Sequence, residues 1–423
     1  MVESRVITEL LPRPQAVGVF PLPAGYLLIG EGPGHDEVRT ALVGGHLPEA
    51  FPPSLRYYEL ALAGDLPGAL AALAGDDPIT LANRLVLAPD RPLLKELRAI
   101  ATGALAVHIE MVAFVVGLAL DPPDPAAADG EIAAMAHAAK ATLAMERHDR
   151  GTAAEELESA AQLAHPISAA LAGQLLGQLA NVQLDDGGTK RATVTFQAAI
   201  DALTGTDLVV SLAELHVSSG SMHQEMSEAA PRLLKTAIDH YLAALQLVNA
   251  TTAPESFAIA NANLGLAYLS MPMTQASDLL RVGIAVQSMR EALKVFTAET
   301  HPDRWSSTQL NLANALVYMP STHQADNIVE AVDLYEDVLQ IRDRHRDPQG
   351  RARVLANQGN ALAHLGVFDQ AKLRLHEARM IFEEFEEHDA VRSVRSILDE
   401  VAKQESLVRQ DAPERPMSDR VIG

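Results

Sequence analysis

The chain has 423 residues, 48% hydrophobic and 21% charged, so it can bury a core and is not disordered overall. It contains no cysteine, which excludes disulfides, thiolate metal sites and a thiol nucleophile. The 33 Lys and Arg against 55 Asp and Glu give a net charge of −22, which argues against broad binding to nucleic acid or anionic lipid. The length allows two or three domains or one long repeat array.

The first 50 residues differ from the rest of the chain. Two short apolar runs, 17–21 and 26–29, flank a Pro-Ala-Gly turn, and this pattern predicts an irregular segment or a small β-hairpin. The glycine-rich run from Gly30 to Gly34 is interpreted as a turn, because no Lys-Ser/Thr follows it as in a phosphate loop. No basic region leading into an apolar stretch is visible at the start, so no secretory signal is predicted and the expected location is cytoplasmic.

The pattern of residues 51–120 predicts a helical N-terminal module. The apolar run from Ala99 to Leu120 is long enough to span a bilayer. The ionisable side chains of His108 and Glu110 near its middle favour a buried helix instead, and no membrane span is expected. Helices are expected over 56–63, 68–73, 79–87 and 92–120. A Pro-rich linker, 121–130, ends the module because proline cannot continue a helix.

From residue 131 onward one pattern recurs six times: a small residue, a bulky one four positions later, and a small one three positions after that. Spacings of four and three place the three side chains on one face of a helix. The small residues let a neighbouring helix approach closely, and the bulky residue fills the gap beside it. The triplets are Ala153, Leu157 and Ala160, then Ala192, Phe196 and Ala199, then Ala237, Tyr241 and Ala244, then Ala285, Met289 and Ala292, then Ala331, Tyr335 and Val338, then Ala371, Leu375 and Ala378.

Three segments upstream of the last three triplets share a second signature, an Asn followed by a small residue two positions on and a large residue five positions on. They begin at Asn263, with Gly265 and Tyr268, at Asn311, with Ala313 and Leu316, and at Asn357, with Gly359 and Leu362. These segments and the 34-residue length of the last repeat, 352–385, resemble the tetratricopeptide repeat (TPR) family, in a bacterial variant with lengthened repeats. The resemblance covers roughly residues 134–388 and is strongest in the last three repeats.

The resemblance implies an all-α fold, an α-solenoid of about six TPR-like helical hairpins over 131–388, preceded by a small mixed or helical module. A capping helix is expected over 389–405, because a terminal repeat otherwise leaves an apolar face open to water. The charged, proline-containing tail, 406–423, is expected to be disordered.

In the family, the repeated Asn position often faces the concave groove and hydrogen-bonds a bound peptide. The resemblance therefore implies a partner-binding groove lined by amides, which both donate and accept hydrogen bonds. The amides are Asn263, Asn311, Asn314, Asn357 and Asn360. The alternative is that these side chains bridge adjacent helices within the array. A strict carboxylate clamp is not expected, because the central first helices carry almost no Lys or Arg.

Three predicted insertions between paired helices, 218–230, 270–278 and 320–326, contain methionine and histidine. Such groups can bind copper(I), nickel or zinc, but methionine also packs irregular turns. The spacing varies between repeats and forms no dense cluster, which favours packing, so no metal site and no cofactor are expected. The residues are Met222, His223, Met226, Met271, Met273, Met319 and His323.

No nucleophile elbow, His-Glu-x-x-His motif or phosphate loop occurs, and no catalytic residues are predicted. The leading hypothesis is a non-catalytic protein-protein interaction scaffold, or a chaperone-like assembly or accessory factor, that binds a partner protein or peptide in the solenoid groove. The acidic charge suggests a partner with basic patches. The alternatives are a peptide-responsive regulator and a metal-delivery accessory protein. The partner's identity, homo-oligomerisation and the role of residues 1–120 stay open.

Overall fold

The computed structural model of the chain describes residues 10, 13–272, 279–319, 321–342 and 345–411, without the side chains of 409–411. Within these residues the protein is all-α, built from α-helices and short 3₁₀ helices, and no strand occurs. The chain divides into two compact units, Met1–Met226 and Ser227–Gly423.

The first unit consists of short helices followed by longer ones in successive pairs. Helix α7 packs against α8 and α9 packs against α10, so two of the predicted hairpins lie in this unit. Its described helices are α1 (His35–Val43), α2 (Arg56–Leu62), α3 (Leu66–Ala72), α4 (Pro78–Leu87), α5 (Arg91–Ile100), α6 (Gly103–Val115), α7 (Gly130–Glu146), α8 (Arg150–Ala164), α9 (Ala169–Asp185), α10 (Thr189–Leu203) and α11 (Val209–Met226).

Aspartate side chains set the starts of several of these helices. Asp65, Asp77, Asp90 and Asp149 each precede a helix, and each carboxylate accepts a hydrogen bond from a backbone N–H of the first turn. The first turn has no partners of its own for these N–H groups, so each cap contributes about 1 kcal/mol to helix stability.

Of the two alternatives for the first 50 residues, an irregular segment and a β-hairpin, the hairpin does not form in the described residues. The backbone N–H of Leu28 donates to Asn83 Oδ1 (2.7 Å), and its carbonyl accepts from Asn83 Nδ2 (2.8 Å) and the Tyr57 hydroxyl (2.7 Å). Leu27, Leu28 and Ile29 are all fully buried. Helix side chains therefore satisfy the peptide groups that a neighbouring strand would otherwise bind.

The helix predicted over 92–120 is broken into α5 and α6. The break follows Ile100, where Thr102 is extended and Gly103 has a positive φ of 55°. Of the two ionisable groups in this run, His108 is fully buried, whereas Glu110 accepts two hydrogen bonds of 2.7 Å from Arg98. No described helix combines the length and the apolar character that crossing a membrane requires.

The Pro-rich stretch 121–130 is ordered within the first unit. Pro125–Ala127 forms a 3₁₀ helix capped by Asp124, and this helix contacts both α6 and α7. A domain boundary at this stretch stays a prediction.

The second unit continues the pattern of paired helices. Helix α13 packs against α14, α15 against α16 and α17 against α18, and α19 packs against α18. Its described helices are α12 (Leu233–Leu247), α13 (Pro254–Ser270), α14 (Leu279–Ala292), α15 (Pro302–Tyr318), α16 (Gln324–Ile341), α17 (Pro348–His364), α18 (Phe368–Glu384) and α19 (His388–Asp411).

The closing helix is longer than the sequence suggested. Residues 406–411, expected in a disordered tail, belong to α19. This helix begins at His388, and Val391, Val394 and Val401 join the core formed with α17 and α18. Residues 412–423 of the expected tail lie outside the described residues.

The recurring triplets lie on the second helix of each predicted pair, and all eighteen side chains are 1% exposed or less. Each triplet therefore faces inward along its whole length, as its spacing predicts. In chain order they are Ala153, Leu157 and Ala160 on α8, Ala192, Phe196 and Ala199 on α10, Ala237, Tyr241 and Ala244 on α12, Ala285, Met289 and Ala292 on α14, Ala331, Tyr335 and Val338 on α16, and Ala371, Leu375 and Ala378 on α18.

Glycines on the first helices allow close contact with these triplets. A Cβ at Gly359 would lie 2.7 Å from Leu375 Cγ and 3.1 Å from the carbonyl oxygen of Ala371. At Gly265 it would lie 2.9 Å from Met289 Cγ. The paired helices are thus closer at these points than any larger residue allows.

The first predicted insertion is mostly helix. Helix α11 runs through Met226, so residues 218–226 extend it instead of forming a loop, and only 227–230 of this insertion lie outside it. Of the second insertion, 273–278 lie outside the described residues, as does Pro320 of the third.

Candidate functional site

A cavity of about 420 Å³ lies between α13, α14 and α15 of the second unit. This volume falls in the usual range for ligand pockets. Its apolar lining consists of Ile259, Ala262, Leu266, Met289 and Phe296. Its polar lining consists of Asn263, Asp303, Arg304, Ser307, Thr308 and Asn311.

The floor of this cavity is part of the packed core. Met289, the bulky residue of the fourth triplet, is fully buried, and Phe296 is 1% exposed. Phe296 clusters with Ala258 and Ala292, and Trp305 packs against the same cluster. Because these two side chains are covered, the apolar surface that an entering side chain can contact lies on α13, where Leu266 is 37% exposed.

Asn263 and Asn311, two of the five predicted groove amides, line this cavity together. They occupy matching positions on α13 and α15, and both are half-buried. An amide over an apolar floor can both donate to and accept from the backbone of an extended peptide, which has no partner strand of its own.

The other three predicted groove amides make hydrogen bonds between helices. Asn357 Nδ2 on α17 donates to Asn314 Oδ1 on α15 (2.9 Å), and the same oxygen accepts from the Tyr335 hydroxyl on α16 (2.7 Å). Asn360 Nδ2 donates to the exposed Tyr318 hydroxyl (3.2 Å). The bridging alternative therefore holds for Asn314, Asn357 and Asn360. Asn263 and Asn311 line the cavity, and their contact with a partner stays a prediction.

Arg304 lies at the rim of the cavity. Its guanidinium carbon lies 5.7 Å from the centre of the Phe296 ring, and its Nη1 lies 3.3 Å from Glu255 Oε1 on α13. Among the described residues that line the cavity it is the one cation. Arg304 thus pairs with a carboxylate of the chain itself at the rim.

The methionine and histidine side chains of the predicted insertions are dispersed. Met222 and His223 are buried on α11, and Met226 is half-buried at its end. In the second unit, Met271 Sδ lies 3.2 Å from Arg281 Nη1, and Met319 packs on the core around α15.

The exposed His323 lies 3.5 Å from Asp326, and Met273 lies outside the described residues. Across the described chain, no group of three or more His, Asp or Glu side chains is arranged to hold a metal ion.

The sequence did not identify Phe296 or Leu266 as site residues. Phe296 follows α14 in the connection to α15, so no helical periodicity assigns it to a face. Leu266 is 37% exposed at the position after Gly265, on the part of α13 that faces the cavity. The spacing could have identified Leu266, because it lies three positions after Asn263 and therefore on the same side of the helix.

The paired helices and their buried triplets define an all-α, TPR-like repeat protein. No family model and no curated protein matches the chain. Among solved structures, the apo form of RapI is similar at 12% identity, over 85% of this chain and 98% of that chain, with a TM-score of 0.47.

A Rap protein complexed with competence and sporulation factor is similar at 13% identity, over 84% of this chain and 98% of that one, with a TM-score of 0.40. PilF of Pseudomonas aeruginosa is similar at 18% identity, over 56% and 96%, with a TM-score of 0.34. At these identities and TM-scores the likenesses carry no inference about function.

Proposed function

We propose that this protein is a protein-protein interaction scaffold that holds an extended segment of a partner protein at the α13–α15 cavity. The observation that carries the proposal is the pair Asn263 and Asn311, two amides at matching repeat positions beside one apolar floor. Within this class, an assembly or accessory factor for a larger complex is the role that we favour.

The chemistry of the cavity suits a segment with an apolar side chain. Burying a side chain of the size of Leu against the partly exposed Ile259 and Leu266 stabilises the complex by about 1.5–3 kcal/mol. Each amide-to-backbone hydrogen bond adds about 0.5–1.5 kcal/mol. Specificity then comes from the apolar anchor, while the amides fix the direction of the bound backbone.

The charge of the chain suggests the character of the partner. The net charge is −22, and the carboxylates of Glu255 and Asp303 are exposed near the cavity. A partner segment with Lys or Arg flanking its apolar anchor complements this surface and is steered toward it. A cytoplasmic location stays a prediction.

The proposal is tested with peptides selected from a random display library on the full-length protein. The affinity of the selected peptide is then measured by calorimetry for the wild type and for Asn263→Ala/Asn311→Ala. We expect the double variant to weaken binding by about tenfold to 100-fold, because two backbone hydrogen bonds are lost.

The matched control is Gln287→Ala, which removes an exposed amide on α14 that does not line the cavity. We expect this control to bind like the wild type. Failure to select any peptide, or equal affinities of the double variant and the control, contradicts the assignment of the cavity.

A further inference from the structure

A second cavity, of about 500 Å³, lies in the first unit and contains a serine and a histidine in direct contact. The Ser54 hydroxyl oxygen lies 2.6 Å from His35 Nε2, and His35 Nδ1 lies 2.9 Å from the carbonyl oxygen of Gly30. The two side chains are separated by 19 residues and belong to no sequence motif, which is why the sequence did not reveal them.

The contacts of His35 assign the proton on each ring nitrogen. A carbonyl oxygen only accepts hydrogen bonds, so Nδ1 carries the hydrogen that binds Gly30. In the neutral ring Nε2 is then an acceptor, and the Ser54 hydroxyl donates to it. A serine hydroxyl that donates to an oriented imidazole is the arrangement in which serine acts as a nucleophile.

Buried hydrogen bonds fix the orientation of the imidazole. His35 is 6% exposed, and the Gly30 carbonyl that it binds also accepts from Arg39 Nη2 (3.1 Å). Arg39 is 3% exposed and is itself fixed by the Ile29 carbonyl (2.8 Å). Ser54, in contrast, is exposed, so its oxygen is accessible on the side away from the core.

The rest of the cavity indicates which compounds it can accept. Pro78 and Ile79 give it an apolar wall, and Glu31 and Asp77 contribute carboxylates. No Lys or Arg is among its described lining residues. Anionic compounds are therefore disfavoured, whereas small neutral acyl groups fit both the volume and the charge.

We propose that Ser54 is a nucleophile, with His35 as its general base, and that it acts on esters of small uncharged carboxylic acids. The Ser54 oxygen attacks the acyl carbon while His35 Nε2 takes the hydroxyl proton. The bond from the acyl carbon to the alcohol oxygen breaks, and the alcohol leaves with that proton. Water then attacks the acyl-serine, gives its proton to His35 and releases the acid as Ser54 regains its hydrogen.

The test uses the full-length protein, with p-nitrophenyl butyrate as substrate and a fluorophosphonate as covalent probe. The probe reacts when the serine oxygen displaces fluoride from phosphorus, and digestion with mass spectrometry locates the modified residue. We expect modification at Ser54 in the wild type. Ser54→Ala and His35→Ala are expected to lower ester hydrolysis by at least about 100-fold, the usual contribution of a positioned base.

Chemical rescue separates a general base from a structural histidine. Added imidazole is expected to restore part of the labelling of His35→Ala, because the truncated side chain leaves space for it, but none of that of Ser54→Ala. Ser159→Ala, which removes a half-buried hydroxyl on α8, is the control and should react like the wild type. Circular dichroism checks that each variant is folded.

The wild-type measurement requires no variant and can overturn the proposal alone. Absence of probe at Ser54, or labelling of several serines to the same extent, contradicts it. Rescue failure in a folded His35→Ala protein removes the role of general base. None of these results bears on peptide binding at the α13–α15 cavity, so the two proposals fail separately.

Discussion

The side-chain amide of Asn357 on α17 donates a 2.9 Å hydrogen bond to Asn314 Oδ1 on α15, the same oxygen that accepts the Tyr335 hydroxyl. One acceptor thus joins two first helices and the second helix between them. Tyr335 is 1% exposed, and burial raises the pKa of its hydroxyl well above the usual value, so it remains a neutral donor. Asn314 and Asn357, which the sequence predicted as groove residues, therefore also join neighbouring helices of the array.

Asn314→Ala is expected to reduce the free energy of unfolding of the second unit by about 1–3 kcal/mol, because it leaves the buried Tyr335 hydroxyl without its acceptor. Adding Tyr335→Phe should recover part of that loss, since the unsatisfied hydroxyl is then absent. Urea titration of the full-length protein measures both values. If the losses in the free energy of unfolding of the two single variants simply add in the double variant, the two groups act independently and this prediction is contradicted.

Gly359→Ala is expected to destabilise the second unit by about 1–3 kcal/mol, although alanine is the better helix former. The added carbon would lie 2.7 Å from Leu375 Cγ and 3.1 Å from a backbone oxygen, so the α17–α18 pair must separate. The measurement is the midpoint of urea unfolding.

Gly283→Ala on α14 is the matched control, because nothing lies within 4 Å of a Cβ added there. It is expected to stabilise the protein by about 0.5–1 kcal/mol through helix propensity alone. Equal effects at the two glycines would contradict close packing at Gly359.

The stability of the first unit is expected to fall as the pH is lowered from about 6.5 to about 4. Burial lowers the pKa of His108 from 6.5 to about 4, against a lesser opposing contribution from the Tyr26 backbone. Between these values the unfolded chain binds a proton that the folded protein does not, so acid favours unfolding. The free energy of unfolding is expected to fall by about 3 kcal/mol in total across this pH range.

Within the described residues neither nitrogen of His108 makes a hydrogen bond of normal geometry, so His108→Leu removes no such bond. This variant should lose the corresponding part of the acid sensitivity, as measured by urea unfolding at a series of pH values. His165→Gln, at an exposed position after α8, is the control and should keep the wild-type profile. An unchanged profile in His108→Leu would contradict a neutral buried imidazole.

Binding of a selected peptide with two lysines is expected to weaken about threefold to tenfold when NaCl is raised from about 0.05 M to about 0.5 M. Exposed carboxylates near the cavity attract such a peptide, and salt screens that attraction. The matched control is the same peptide with both lysines replaced by glutamine, whose affinity should change little. Equal salt dependence of the two peptides would contradict a basic partner.

Local patterns explain why the repeats were predictable. The spacing of Ala285, Met289 and Ala292 alone defines a buried helical face, and such triplets predicted the helix pairs, a fold that is confirmed. The sequence did not predict the break at Thr102. The run is apolar on both sides of the break, and Gly103 alone marks the point where a new helix begins. For the first 50 residues the sequence left an irregular segment and a β-hairpin open. The described residues form no hairpin there, because side chains far along the chain, such as Asn83, bind the backbone of Leu28.

The candidate site was only partly predictable, because contacts between residues far apart in the chain leave no local pattern. The repeated position of Asn263 and Asn311 is visible in the sequence, because it recurs with the repeat. Whether a given Asn lines a cavity or bridges two helices depends on what lies opposite it. Asn314 meets a residue 43 positions away, and Phe296 reaches the cavity from a connection without periodicity.

Photocrosslinking reports whether a partner segment occupies the α13–α15 cavity. A benzophenone amino acid is placed at Leu266, on the cavity, or at Gln287, on the same unit but outside it, and the selected peptide is added before irradiation. We expect a crosslink from position 266 to the apolar residue of the peptide and none from position 287. Crosslinking at both positions to the same extent, or only at position 287, would contradict this expectation.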